Sequence, residues 1–259
     1  MIAALAALLP AGQQSLSLGF IVFLRVGAVM ALLPAFGEHS VPPRVRLALA
    51  LAFSMVIAPA VAGSIGPVPA SEADFLPYFA SEVAVGLSLG MILRLLVMVL
   101  QIAGQVAAQA TSLSQIFGGV GGEPQPAMAH LLVSAGLALA VMSGLHVRAA
   151  EAMILSYDIL PPARMPDAAM LAQWGIGHIA RGFGLAVTLA MPFVIASLIY
   201  NLALGIINRA MPQLMVAFVG APAITAGGLV LMALAMPAML NIWGGWMTGI
   251  LANPYGAAP

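Results

Sequence analysis

The residues able to do chemistry in this chain are few, and several stand where lipid would not tolerate them. Arg25 is at the centre of one apolar run, Arg94 is deep in another, Arg181 lies in the first turns of a further one, and Glu82 is the one acid well inside such a run. An Arg at mid-membrane costs about 2.5–3.5 kcal/mol on insertion scales, so each should face protein or water and find a partner. Glu82 and Arg94 are twelve residues apart, over three helical turns, and cannot meet on one helix. Glu82 is therefore expected to pair with Arg25 or with another chain, as a buried assembly charge. Two other uses compete for the Arg residues: snorkelling to an interface, and, for Arg25 or Glu82, a proton relay of the transporter type.

A second group is polar but uncharged. Gln101, Gln105, Gln109 and Ser112 recur at helical spacing and so form one stripe. Such amides either hold helices together, at about 0.6–2 kcal/mol each, or line a watery passage. The stretch Phe117-Gly118-Gly119-Val120-Gly121-Gly122 follows at once. Backbone so rich in glycine has little conformational preference, and its amides would go unsatisfied in lipid, so it belongs in water or inside protein. It is either a plain connection or a mobile plug at the end of a polar-striped helix. It is no phosphate loop, because no Lys-Ser or Lys-Thr follows it.

No catalytic constellation appears. His39, His130, His146 and His178 show no ligand spacing, Gly-x-Ser-x-Gly does not occur, and Glu72 and Asp74, as i,i+2 neighbours, point apart. With no cysteine, thiolate metal sites, thiol nucleophiles and disulfides are excluded. The sequence thus offers no catalytic, metal or cofactor-binding residues.

The elements that must carry these residues follow from composition. Of 259 residues 63% are hydrophobic and 6% charged, against about 25% charged in soluble domains, and mean hydropathy is +1.09. A chain with eight basic and eight acidic residues has no charge excess to suit nucleic acid, and every basic residue is Arg, which favours fixed, bidentate contacts. The first ten residues carry no basic region and their apolar run stops at Pro10, unlike a secretory signal, so the whole chain reads as mature protein.

A bilayer core needs roughly 20 apolar residues per helix. Six windows qualify: about Leu16 to Phe36, Val45 to Ala62, Phe75 to Leu100, Met128 to Val147, Ile176 to Ile207 and Leu214 to Leu251. The last two are long and interrupted, by Pro192 and by Pro222, Gly227, Gly228 and Pro237, and read as kinked helices or broken pairs. The fold class is an all-α, polytopic membrane protein. The loop from Gly37 to Arg46 is the most basic, which puts it in the cytoplasm, with Arg209 also inside and both termini outside, although Arg148 and Arg164 then fall outside. Gly86 with Gly90, and Gly245 with Gly249, are small pairs that permit close helix approach.

Two blocks match a known pattern. Leu24-Arg25-Val26, with Glu38-His39-Ser40-Val41-Pro42-Pro43-Arg44-Val45-Arg46 closing at Ala58-Pro59, resembles the N-terminal signature of the FliR family of flagellar biosynthesis proteins. Asn201 to Leu214, including Asn208-Arg209 and Pro212-Gln213 and continuing to Pro222, resembles the C-terminal signature of that family. Met215 departs from the small polar residue expected there. The second block looks flagellar and not like the virulence-secretion homologue.

The resemblance implies a non-enzymatic subunit of a type III protein export gate, in the bacterial inner membrane at the flagellar basal body. Its partners would be FliP and FliQ, with FlhB attached, and unfolded flagellar proteins would be in transit. It implies a single membrane domain over 1–259, with a FliP-like portion over about 1–170 and a FliQ-like helical hairpin over about 171–259. It places a loop of this subunit in the pore, by position Phe117 to Gly122. Arg25, Glu82, Arg94 and Arg209 would then be contacts between chains. The competing class, a self-contained secondary transporter, usually shows two similar halves, and residues 1–125 and 126–259 share no matched motifs.

Overall fold

The computed structural model describes residues 2–38, 40–66, 75–111, 127–211 and 216–256. Among them the chain forms seven α-helices: α1 Ile2–Leu32, α2 Pro43–Ile65, α3 Phe75–Thr111, α4 Ala127–Met142, α5 Leu145–Ile159, α6 Ala168–Ala210 and α7 Val216–Ala252. Five are long and apolar enough to cross a membrane: Gly12–Leu32, Pro43–Ile65, Phe75–Ala110, Ala168–Ile207 and Ala226–Ala252. The number rises to six if α4 and α5 make one broken span. The chain is therefore an all-helical, polytopic membrane protein.

Helix ends follow local chemistry. After α1 the chain turns through Ala35, whose φ of 67° is left-handed, and Gly37, where an added Cβ would lie 2.9 Å from the Ala31 carbonyl carbon. Proline then restarts the helix: Pro42 is the N-cap of α2 and Pro43 its first residue, where no backbone N–H is needed. Gly66 ends α2 at a φ of 71°. Asp167 precedes α6 and accepts the Met170 N–H at 2.8 Å, a side-chain N-cap.

Three expectations change. The window from Met128 to Val147 is not one straight helix: α4 stops at Met142, Gly144 has a φ of 78°, and α5 leaves at 71° to α4. Of the two forms expected for the long windows, kinked helices or broken pairs, the broken one does not occur: α6 has 43 residues and runs on through Pro192, and α7 has 37 and runs on through Pro237. A proline removes one hydrogen bond per site, whereas the left-handed Gly144 cannot continue the helix at all. Finally, α3 extends past Leu100 to Thr111, so Gln101, Gln105 and Gln109 ride on the helix that also carries Glu82 and Arg94.

The chain divides into two compact units, each drawn from separated stretches. The first comprises residues 1–94, 144–178 and 248–259. Its core is the buried face of α1 (Ile21, Val22, Val26, Val29, Met30), with Leu33 just after it, Ile57 and Val61 of α2, Val85, Leu89 and Leu93 of α3, and Met153 of α5. The second comprises residues 95–143 and 179–247. There Leu96, Leu100 and Ala103 of α3 and Leu132 of α4 are buried, as are Leu189 and Phe193 of α6 and Trp243 of α7.

Small residues set the closest approaches. In the first unit Gly86 lies against α1, where an added Cβ would stand 2.8 Å from the Ala28 Cβ and closer still to the Arg25 carbonyl. One turn on, Gly90 would meet Leu32 Cβ at 3.1 Å. In the second unit Gly104 faces Ala129 of α4 at distances no side chain could share. Gly245, by contrast, has open space around the position of a Cβ.

Candidate functional site

The centre of the first unit is a charge cluster sealed from solvent. Arg25 and Glu82 are both 0% exposed. The guanidinium grips the carboxylate with two bonds, Nε to Oε2 at 2.8 Å and Nη2 to Oε1 at 2.9 Å. This fork geometry is what Arg offers and Lys does not. Of the two partners that the sequence left open for Glu82, Arg25 is the one found.

Two further N–H groups of Arg25 are directed at α5 and its C-cap. Nη1 donates to Ser156 Oγ at 2.9 Å, and Nη2 also donates to the Leu160 carbonyl at 2.9 Å. Leu160 is the C-cap of α5, so a fixed cation stands where the carbonyls at a helix C-terminus are left without partners. Ser156 in turn donates to the Met153 carbonyl at 2.6 Å. The Tyr157 ring lies over the guanidinium, 3.8 Å from its carbon, a cation–π contact of the desolvated kind. One side chain on α1 thus joins α3 and both the body and the end of α5.

Ser156, Tyr157 and Leu160 escaped the sequence reading. Ser-Tyr is a modest polar signal on an apolar helix, and nothing in a sequence ties it to a residue 131 positions earlier.

Arg94 is paired separately. Its Nη1 bonds Glu38 Oε1 at 2.5 Å, with the two side chains 25% and 21% exposed. Glu38 belongs to the turn between α1 and α2, a segment read from the sequence as a basic loop and a signature block and not as a partner for Arg94. Arg181 and Arg209 are exposed on α6, Arg209 in its last turn. The charges singled out together therefore have different situations: one buried pair, one partly exposed pair, and two cations on the surface of a long helix.

The amide stripe lies on the less buried side of α3. Gln101 and Gln105 are half-buried and Gln109 is exposed, while Ala103, Gly104, Ala107 and Ala108 are buried on the other side. Ser112 lies outside the described residues, as do Phe117, Gly118, Gly119, Gly121 and Gly122 of the expected plug.

Also in the first unit, Tyr255 stacks on Trp174, ring centroids 5.2 Å apart, and donates to the Val85 carbonyl at 3.3 Å. Burial raises the Tyr255 phenol above its ordinary pKa, so it stays a neutral donor. Among the described residues no group of three or more His, Asp or Glu could hold a metal ion.

Two ion pairs, Arg25–Glu82 and Arg94–Glu38, thus lie within a helical membrane protein. The family model described as "Bacterial export proteins, family 1" matches residues 16–250. The chain belongs to this family.

Three relatives, each called "Flagellar biosynthetic protein FliR", agree with it. The chain is 35% identical to the one from Caulobacter vibrioides over 228 residues, covering 86% of this chain and 90% of that protein. It is 29% identical to the one from Escherichia coli, over 86% and 85% of the two chains. It is 30% identical to the one from Aquifex aeolicus, over 83% of each. The export-family match includes the buried cluster and both signature blocks. Of the signature residues, Pro42 caps α2, Arg44 is exposed in its first turn, Pro59 lies inside it and Asn208 is in the last turns of α6. Pro212 and Gln213 lie outside the described residues.

Proposed function

We propose that this chain is a non-enzymatic subunit of the flagellar type III protein export gate in the bacterial inner membrane. There it builds the export pore with FliP and FliQ, meets FlhB, and passes unfolded flagellar proteins on their way to the growing flagellum. The observation that carries this reading is the match to a bacterial export family over residues 16–250, with relatives named for flagellar biosynthesis along nearly their full length.

Helix length adds a physical argument. At 1.5 Å per residue, α6 with its 43 residues is about 65 Å long, twice the roughly 30 Å of a bilayer core. Yet exposed apolar side chains run along it from Met170 and Ile176 to Leu202 and Ile207. Even at a 40° tilt such a helix spans about 50 Å, so lipid tails cannot cover all of that surface. Other subunits are the natural cover.

In this reading the FliP-like portion runs over about 1–170 and the FliQ-like hairpin over about 171–259, and two long helices in succession, α6 and α7, are what such a hairpin requires. Phe117 to Gly122 forms the pore plug, with Gln101, Gln105 and Gln109 on the helix leading to it. Arg25 and Glu82 serve assembly by fixing the helices that neighbours meet, while the Arg94–Glu38 pair and Arg209 are accessible enough to touch a neighbour directly.

The test is purification in mild detergent followed by native mass measurement. A mixed assembly with FliP and FliQ is expected. A homo-oligomer of this chain alone would sink the reading and favour a self-contained transporter.

A further inference from the structure

A groove of about 460 Å³ lies on the first unit, lined by α1, the start of α2 and α3. Its walls are apolar, and small residues on α1, Gly27, Ala28 and Ala31, make the room, facing Leu47 of α2 and Leu87 of α3. The one charged residue lining it is Arg46, in the first turn of α2.

Arg46 is half-buried, and its Nε donates to the Val41 carbonyl at 3.1 Å. Among the described residues no carboxylate pairs with it: the acid in the preceding turn, Glu38, is held by Arg94. A cation thus stands at an apolar groove with no carboxylate partner among the described residues.

The setting says what should supply that charge. All three helices lining the groove are long and apolar enough to cross a membrane. The outer surface of α2 is apolar and open, with Leu47 52%, Leu51 45% and Met55 77% exposed. Arg46 is in the first turn of such a helix; where α2 crosses a bilayer, that end stands near the phosphates, and anionic headgroups attract basic residues there. One turn of an α-helix, about 10 Å across and 5.4 Å long, fills roughly 420 Å³, so the groove would take little more than one turn of a partner helix. A slim acyl chain with a phosphate at one end matches it in shape and in charge.

We propose that this groove is a binding site for one anionic phospholipid, its acyl chain between α1 and α2 and its phosphate on Arg46. The site requires only that the chain be in a membrane, so it stands or falls separately from the export role.

The experiment places the full-length chain in nanodiscs of phosphatidylcholine with either phosphatidylglycerol or phosphatidylethanolamine, extracts it gently, and counts retained lipid by native mass spectrometry. Phosphatidylglycerol should be retained preferentially, at one per chain. Arg46→Gln should lower that retention about fivefold, the scale of one basic residue at an anionic surface, and Arg46→Lys should largely preserve it. Gly27→Leu with Ala31→Leu should abolish it by filling the groove, while circular dichroism and elution volume stay unchanged. A photo-crosslinking residue at position 47 should label lipid. Equal retention in Arg46→Gln, indifference to headgroup charge, retention in the filled variant, occupancy by inorganic phosphate alone, or crosslinks to protein only would each overturn the proposal.

Discussion

Arg25 and Glu82 are held 2.8 Å apart at full burial, 57 residues apart in the chain, and the guanidinium continues from that contact to the end of α5. Removing one member of a buried pair leaves an uncompensated charge, which costs about 3–5 kcal/mol, whereas exchanging both for apolar residues of similar volume is often neutral. Arg25→Met alone should therefore destabilise the detergent-solubilised chain severely, and adding Glu82→Met should recover much of the loss. The measurement is residual monodisperse protein after graded heating. If the double variant is no more stable than the single one, the ion pair itself is not what the fold depends on, and the bonds to Ser156 and Leu160 are.

The glycines give a sharper contrast, because one substitution should have opposite effects at two sites. At Gly86 a methyl group would collide with the Arg25 carbonyl and the Ala28 Cβ, forcing α1 and α3 apart, and such overpacking costs about 1–3 kcal/mol. At Gly184 nothing lies within 4 Å of the added atom, and replacing glycine by alanine within a helix gains about 0.5–1 kcal/mol. Gly86→Ala should lower the melting temperature of the solubilised chain and Gly184→Ala should hold or raise it. Equal losses at both sites would mean that the close approach is not what α1 and α3 depend on.

What the sequence made legible, and what it did not, divides along physical lines. The helical membrane architecture was readable because hydrophobicity is additive along a window: the edges of α2, found at Pro43 and Ile65, lie within a few residues of those expected. Partner choice was half readable. The cost of a lone charge in lipid demanded a partner for Arg25, and helical spacing excluded an Arg94–Glu82 contact. Ser156 and the Leu160 carbonyl could not be found, since they are ordinary residues made functional by a contact at long range. The place of the one break was missed because proline was given more weight than glycine. A Pro192 in a helix flanked by apolar residues costs one hydrogen bond, while Gly144 after Ser143 takes a left-handed φ and turns the chain through 71°. Gln101, Gln105 and Gln109 share α3, but the use of such amides, packing or lining a passage, is set by the neighbours they meet and not by their spacing.

The second unit rests on a different anchor. Trp243 of α7 is 1% exposed and its indole N–H donates to the Leu96 carbonyl of α3 at 2.8 Å. That carbonyl is in the body of α3 and can also serve its own helix, so removing the indole donor does not strand it. Trp243→Phe should therefore cost about 1 kcal/mol, the net worth of one such bond. Trp243→Ala should cost about 3–5 kcal/mol, because a large buried ring is replaced by a cavity. Thermal unfolding of the solubilised chain separates the two: near-equal losses would show that the hydrogen bond, and not the ring's packing, joins α3 to α7.

In the sequence, Phe117 to Gly122 follows soon after the amide stripe of Gln101, Gln105 and Gln109. Its four glycines in six residues cannot sit in lipid with their amides unsatisfied, and one aromatic side chain precedes them. In the pore reading this segment closes the gate against small ions while a protein is not in transit. Deleting residues 118–122 should leave assembly with FliP and FliQ intact and raise ion leakage through the assembled gate, measured as dissipation of an ion gradient across reconstituted vesicles. Phe117→Ala should raise it by a smaller amount, since the backbone of the loop still obstructs the passage. Unchanged leakage in the deletion, with the assembly present at full yield, would remove the segment from the pore and leave it as a plain connection between α3 and α4.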